Sequence, residues 1–270
     1  MIAPFQPFEP HGRGGPRIRE IPMRMLIPNL LTVLAICAGL SGIRLAFEGR
    51  FEPAVVMVLI AAFIDGIDGR LARMLKATSR FGAQMDSLAD IVNFGVAPAL
   101  VLYLFMLDLS GSPGWIAALL FTIACALRLA RFNVLDEDEA PKGWQAEYFV
   151  GVPAPLGAGL VLLPIYLSFM GVIEPGRWTS FAATAFTIVV AFLLVSRLPV
   201  WSAKSMSFKV KGESALPAIL AAAFYVILLV IYPWLTLSLS ALAYLAFLPL
   251  SARAYTRRGK REMMLPPPGA

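Results

Sequence analysis

The stretch Val55-Val-Met-Val-Leu-Ile-Ala-Ala-Phe-Ile64 runs without a break into Asp65-Gly-Ile-Asp68-Gly-Arg-Leu-Ala-Arg73. Ten apolar residues thus lead straight to two carboxylates and two guanidinium groups. With its flanks the run covers 53–75, the length a bilayer-spanning helix needs, about 20 residues. Seven further apolar stretches surround it, at 27–47, 82–107, 115–134, 153–170, 178–198, 215–232 and 235–255. Turn chemistry separates several of them, as at Glu48-Gly49-Arg50 and Glu174-Pro175-Gly176. The chain of 270 residues is accordingly 59% hydrophobic and only 15% charged, with a mean hydropathy of +0.74. Soluble domains are about 45–50% apolar and about 25% charged. A chain this short cannot hide so much apolar surface from water. Helices are the open spanning structures whose backbone satisfies itself in lipid. The expectation is an all-α, polytopic transmembrane bundle of about eight helices.

Lysine and arginine set the orientation. With the amino terminus in the cytoplasm, 20 of the 23 cations fall on the inner side, leaving Arg44, Arg50 and Arg177 outside. Both termini are therefore expected in the cytoplasm, with the protein a multi-pass component of the cell (inner) membrane. The division expected is a tail at 1–26, one transmembrane domain at 27–256 and a basic, proline-rich tail at 257–270. Residues 1–20 lack the apolar core of a signal peptide. The net charge of +6 follows from the positive-inside bias. No soluble basic face is present to bind nucleic acid, so the basic ends are expected to meet anionic lipid headgroups.

Composition also narrows the chemistry. One histidine (His11, in the tail) and two cysteines (Cys37 and Cys125, in apolar helices and expected to be small buried hydrophobes) exclude a disulfide framework and a Cys/His zinc cluster. Carboxylates remain. Asp65 and Asp68, three apart, share one helical face; Asp86 and Asp90, four apart, share a face of the next helix. Lys76-Ala-Thr-Ser-Arg80 between them can form a short turn, so the four acids can converge. Clustered carboxylates in a low dielectric repel, which calls for protonation or for divalent cations between them. An all-oxygen set suits Mg²⁺ or Mn²⁺. Gly69, Ala72 and Gly82 on the same faces leave room for a nucleotide or pyrophosphate, and Arg73 offers a bidentate phosphate donor. Metal-dependent transfer at a phosphate, near the cytoplasmic membrane surface, is the chemistry these residues can do.

The spacing adds a resemblance. Asp65-x-x-Asp68-Gly69-x-x-Ala72-Arg73, eight residues, then Gly82-x-x-x-Asp86-x-x-x-Asp90 resembles the signature of the CDP-alcohol phosphotransferase family at every fixed position. Three further stretches look like the integral-membrane bacterial phosphatidylserine synthases of that family: Phe94-Gly-Val-Ala-Pro98, Leu127-Arg-Leu-Ala-Arg-Phe-Asn133 and Phe149-Val-Gly-Val-Pro-Ala-Pro155. Asn93 stands where a serine is expected, keeping a polar group in place. The resemblance implies two divalent metals on Asp65, Asp68, Asp86 and Asp90, with Asp90 also the base for the incoming hydroxyl. It implies a CDP-diacylglycerol site made by Asp65, Gly69, Ala72, Arg73 and Gly82. The implied reaction joins L-serine to CDP-diacylglycerol, giving phosphatidylserine and CMP, and the implied assembly is a homodimer. Candidates to hold serine are Asn93, Arg128, Arg131 and Asn133, with Arg131 favoured for its place one turn nearer the cytoplasm.

Other readings fit less well. The four acids could be solvated carboxylates paired with Arg70, Arg73 and Arg80, but eight specified positions in 26 are hard to reach that way. A membrane prenyltransferase carries its two Asp-rich motifs far apart in the chain. An ion-coupled transporter would show a repeat and acids spread over several helices. Glycerol 3-phosphate or an inositol phosphate as acceptor would need added cations in the pocket. Asp136-Glu-Asp-Glu139 lacks the glycine turn of a calcium loop. Gly39-x-x-Gly42 suggests close helix packing.

Overall fold

A computed structural model describes residues 23–75, 80–134, 148–201 and 212–263. The expected turn at 76–79, His11, the acidic run at 136–139 and the tails at 1–22 and 264–270 lie outside these residues. The elements run α1 (Met23–Phe47), α2 (Phe51–Met74), α3 (Arg80–Asp90), a π-helical segment (Ile91–Val96), α4 (Ala97–Phe105), a 3₁₀ turn (Leu107–Ser110) and α5 (Ser112–Val134). They continue through β1 (Tyr148–Val150), α6 (Ala154–Val161), α7 (Leu163–Phe169), α8 (Arg177–Val195), β2 (Pro199–Trp201), α9 (Gly212–Ile231) and α10 (Pro233–Met263).

The α1–α2 hairpin sets the register of everything else. Gly49, at φ 73°, ends α1 in the left-handed conformation that glycine adopts without penalty. Its N–H reaches Ala46 O and that of Arg50 reaches Leu45 O, the paired bonds of a Schellman cap. The chain therefore reverses at once. Gly42 lets the two helices press together: a Cβ there would lie 2.9 Å from the Ala54 carbonyl oxygen and 3.1 Å from Val58 Cγ2. Close approach through small residues replaces the hydrophobic drive that lipid does not supply. The result brings the start of α1 beside the end of α2.

All eight apolar stretches are helical, as the composition requires, and the molecule is an all-α polytopic membrane protein. Among the described residues, five segments are both long and apolar enough to cross a bilayer: Ile27–Phe47, Phe81–Phe105, Ser112–Val134, Arg177–Val195 and Pro233–Arg258. Helix α2 has the length but carries the acids and arginines, while Ala154–Phe169 and Leu216–Ile231 are apolar but shorter. The 153–170 stretch is not one rod: it divides at Leu162 into α6 and α7, where Pro164 withholds a backbone donor from the first turn of α7. Helix α10 continues past residue 256 to Met263.

Faces sort by solvent. Phe94, Phe121, Leu160, Ile165 and Leu194 fill a closed core, whereas Leu30, Phe192 and Trp178 (85% exposed) stand on surfaces made for lipid. Cys125 is buried as expected; Cys37 is instead exposed, on a surface of α1 that no other described element covers. A two-stranded antiparallel ribbon, unforeseen in an all-α reading, pairs Tyr148 with Trp201, Phe149 with Val200 and Val150 with Pro199. Its aromatic and β-branched residues suit a pleated pair. Gly151 follows it at φ 79°, where a Cβ would meet the Ser196 carbonyl oxygen at 2.7 Å. That glycine is a requirement of the crossing.

Candidate active site

Asp65 and Asp68 end the apolar run of α2, one turn apart on one face, and Asp86 comes down from α3 to meet them. One carboxylate oxygen from each lies within 4.8 Å of the others. Asp90, a turn further along α3, sets its carboxyl against that of Asp65. The four acids expected to converge do so. Asp68 is 2% exposed, and Oδ1 of Asp65 and Oδ1 of Asp68 are buried without a hydrogen-bond partner. Unit charges 4 Å apart repel by about 4 kcal/mol at an effective dielectric near 20. Oxygens held this close, and partnerless, match what a divalent cation takes as ligands: hard donors with no nitrogen or sulfur among them. The residues present therefore fit a metal centre.

Helix α1 supplies a residue that the motif does not contain. Thr32 Oγ1 lies 2.8 Å from Asp68 Oδ2 and 3.1 Å from Pro28 O. Its single proton serves one acceptor at a time, and on the carboxylate it fixes one oxygen while Oδ1 stays free for a ligand. The signal for Thr32 in the sequence is slight: it is one of two hydroxyls, with Ser41, in the largely apolar α1.

The nucleotide candidates frame an opening. A Cβ at Gly69 would meet only Arg73 Nη1 at 3.8 Å, and one at Gly66, a glycine outside the expected set, nothing within 4 Å. Arg73 is exposed on the final turn of α2 and acts electrostatically on Asp86. Ala72 lies on the same helix, and Gly82 stands one turn before Asp86 on α3.

The four acceptor candidates divide. Arg128 is half-buried in α5 and interacts with Asp90; its Nε donates to the Val152 carbonyl, just beyond Gly151. Arg131 is exposed near the end of the same helix. Asn133 donates to Ser87 Oγ at 2.9 Å, bracing α5 against α3 between Asp86 and Asp90. Asn93 is fully buried in the π segment, with both amide atoms lacking a partner. It packs against α1 so tightly that a Cβ on Gly39 would lie 2.5 Å from its Oδ1. Such π turns recur at functional sites, because the extra residue re-aims the side chains that follow. Here the turn begins directly after Asp90.

The chain matches known proteins over the region that carries this constellation. Residues 25–193 match the family model described as CDP-alcohol phosphatidyltransferase, and residues 213–249 match a second, CDP-alcohol phosphatidyltransferase 2. A CDP-diacylglycerol--serine O-phosphatidyltransferase of Mycobacterium tuberculosis (strain CDC 1551 / Oshkosh) is 40% identical over 244 residues, covering 89% of this chain and 83% of that one. The protein of the same name from Helicobacter pylori (strain ATCC 700392 / 26695) is 35% identical over 186 residues, 69% of this chain and 76% of its own. An archaetidylserine synthase of Methanothermobacter thermautotrophicus is 31% identical over 186 residues, 67% and 71% of the two chains. These matches leave no place for the prenyltransferase or transporter readings. On the converging aspartates and on the extent of these matches, the chain belongs to the CDP-alcohol phosphatidyltransferase family.

Proposed function

We propose that this protein transfers a phosphatidyl group from CDP-diacylglycerol to the hydroxyl of L-serine, releasing CMP. The observation that carries the reading is the meeting of Asp65, Asp68, Asp86 and Asp90 beside Arg128. The names of the relatives support the acceptor: the archaeal protein differs from the mycobacterial and Helicobacter proteins in the lipid named, and all three share serine.

Asp65, Asp68 and Asp86, with Asp90 at the edge, would hold two divalent metals, Mg²⁺ or Mn²⁺. When bound, such ions neutralise phosphate charge and ease departure of the nucleotide. The remaining work falls to the chain. Gly66 and Gly69 leave space at the backbone for the nucleotide, and Arg73 pairs with its phosphates. Asp90 accepts the proton of the serine hydroxyl as its oxygen attacks the lipid-linked phosphorus. The bond from that phosphorus to the bridging oxygen breaks, and its electron pair leaves with CMP. A base so placed helps because a serine hydroxyl is a weak nucleophile at neutral pH. Arg128 and Asn93 hold the acceptor, with Arg131 and Asn133 at the rim. Arg128 takes precedence over Arg131 because it is half-buried and interacts electrostatically with Asp90, while Arg131 is exposed. The positive-inside distribution sets this site at the cytoplasmic face of the inner membrane. The functional unit we expect is a homodimer.

The test is CMP release by purified protein given CDP-diacylglycerol, divalent metal and one of three acceptors: L-serine, glycerol 3-phosphate or an inositol phosphate. Serine should support release and chelation should stop it. Release with glycerol 3-phosphate but not with serine would overturn the acceptor.

A further inference from the structure

Helix α10 lies outside the residues matched by the first family model, and it packs against α7, β2 and α6. It is anchored at one end by Trp234, whose ring lies 4.7 Å from that of Phe169, and toward the other by Ser251, whose hydroxyl donates to Pro199 O at 2.9 Å. Between these anchors stands Tyr244, packed against the core. Its hydroxyl is buried and has no hydrogen-bond partner, and it interacts electrostatically with the Arg128 guanidinium. A buried hydroxyl without a partner is costly, by about 1–3 kcal/mol, and calls for an unseen water or ligand.

The groups around it define what that ligand is. Arg128 is held by its Nε on the Val152 carbonyl, and Gly151 and Val152 are pinned in turn to Leu198 O and Leu193 O. Guanidinium groups only donate, and a phenol readily donates. Two donors that interact electrostatically, with no hydrogen bond between them, suit an acceptor-only group that takes a bond from each. One guanidinium and one neutral hydroxyl balance a single negative charge, as on a carboxylate, better than the double charge of a phosphate monoester. Asp90, which also interacts electrostatically with Arg128, is where the hydroxyl of the same molecule would be deprotonated.

We propose that Tyr244 is a specificity-determining residue of the acceptor pocket, its hydroxyl donating to the carboxylate of an amino-acid acceptor that Arg128 grips from the other side. This rests on the serine reading above and adds the element that would tell serine from its decarboxylated analogue, ethanolamine. Loss of the hydroxyl in Y244F should raise the KM for L-serine about tenfold, the scale of one hydrogen bond to a charged group. The KM for CDP-diacylglycerol should stay within twofold of wild type. The preference for serine over ethanolamine should fall by a similar factor. Y244L, equally without a donor, should give the same rise if Y244F is poorly produced.

The outcomes separate the two readings. Wild-type protein that releases CMP with another acceptor but not with serine overturns the acceptor and this proposal together. Wild type that turns over serine, with Y244F at an unchanged serine KM, overturns the role of Tyr244 alone. A lowered melting temperature with unchanged KM has the same meaning, since it marks a hydroxyl that served only packing or a buried water.

Discussion

Phe51, Phe105, Phe169 and Trp234 close one end of the bundle, with successive ring centroids 5.0, 5.6 and 4.7 Å apart, whereas at the other end Asp65, Asp68 and Asp86 hold oxygens within 4.8 Å of one another. The same antiparallel helices make both ends. At the aromatic end the rings meet one another, with the Tyr166 hydroxyl beside Trp234 the one buried polar atom there without a partner among the described residues, and edge-on rings gain about 0.5–1.5 kcal/mol per pair beyond the area they bury. At the acid end, oxygens of Asp65 and Asp68 and the amide of Asn93 are buried without partners. One end spends its interactions on holding the fold. The other withholds them, and what it withholds is available to a ligand. Changes at the acid end should therefore alter chemistry with little loss of fold, and changes at the aromatic end the reverse.

The largest expected effect is at Asp90. Asp90→Asn should lower turnover by about 10²–10⁴-fold, the usual worth of a positioned base, while nucleotide binding is largely kept. Asp65→Asn should instead weaken the metal-dependent binding of the nucleotide itself. Equilibrium binding of a CDP-lipid analogue at several metal concentrations, beside single-turnover rates, separates the two. Equal loss of binding in both variants would remove the division of labour between them.

A smaller loss is expected from Thr32→Val, which keeps the shape and deletes the bond to Asp68. Groups that orient metal ligands commonly contribute 10–100-fold in affinity or activity, so the metal concentration for half-maximal activity should rise about that much. An unchanged metal requirement would mean that Asp68 is held by its own helix alone.

Thr32 also shows how far the sequence could be read. The four aspartates were legible because their chemistry is written in local spacing: three and four residues along a helix fix a face whatever the rest of the chain does. The hairpin that joins their helices is short, so their convergence was legible too. Partners that come from elsewhere were not. Thr32 is 36 residues from Asp68, and nothing in the spacing reveals that α1 lies opposite the end of α2 until Gly42 and Gly49 fix that crossing. Tyr244 is more distant still. The acceptor candidates show a related limit. A three-residue step puts Arg128 and Arg131 on one side of α5, but burial decides between them, and burial depends on the packing of α6, α8 and the ribbon. The ribbon itself was invisible because three-residue strands carry too little pattern to register.

Gly151 tests that long-range part. Its positive φ and the 2.7 Å approach to Ser196 O leave no room for a side chain, and the next residue offers the carbonyl that holds Arg128. Gly151→Ala should cost about 1–3 kcal/mol of stability through backbone strain. It should also raise the serine KM, because Val152 moves with it. A stability loss with an unaltered KM would show that the Val152 carbonyl does not position the guanidinium.

The smallest effect on chemistry is expected at Phe105, and it is the sharpest test of the contrast between the ends. Its ring meets Phe51 and Phe169 in two edge-on contacts, so Phe105→Ala should lose about 1–3 kcal/mol from those pairs and lower the melting temperature in detergent. Below that temperature kcat, both KM values and the metal requirement should match the wild type. The acids are held by the α1–α2 crossing, by Thr32 and by the Asn133–Ser87 brace, none of which includes Phe105. A shift in the metal requirement of Phe105→Ala would mean that the two ends are mechanically joined, through α4 and the π segment that run from Phe105 to Asp90 or through α2, which carries both Phe51 and Asp65.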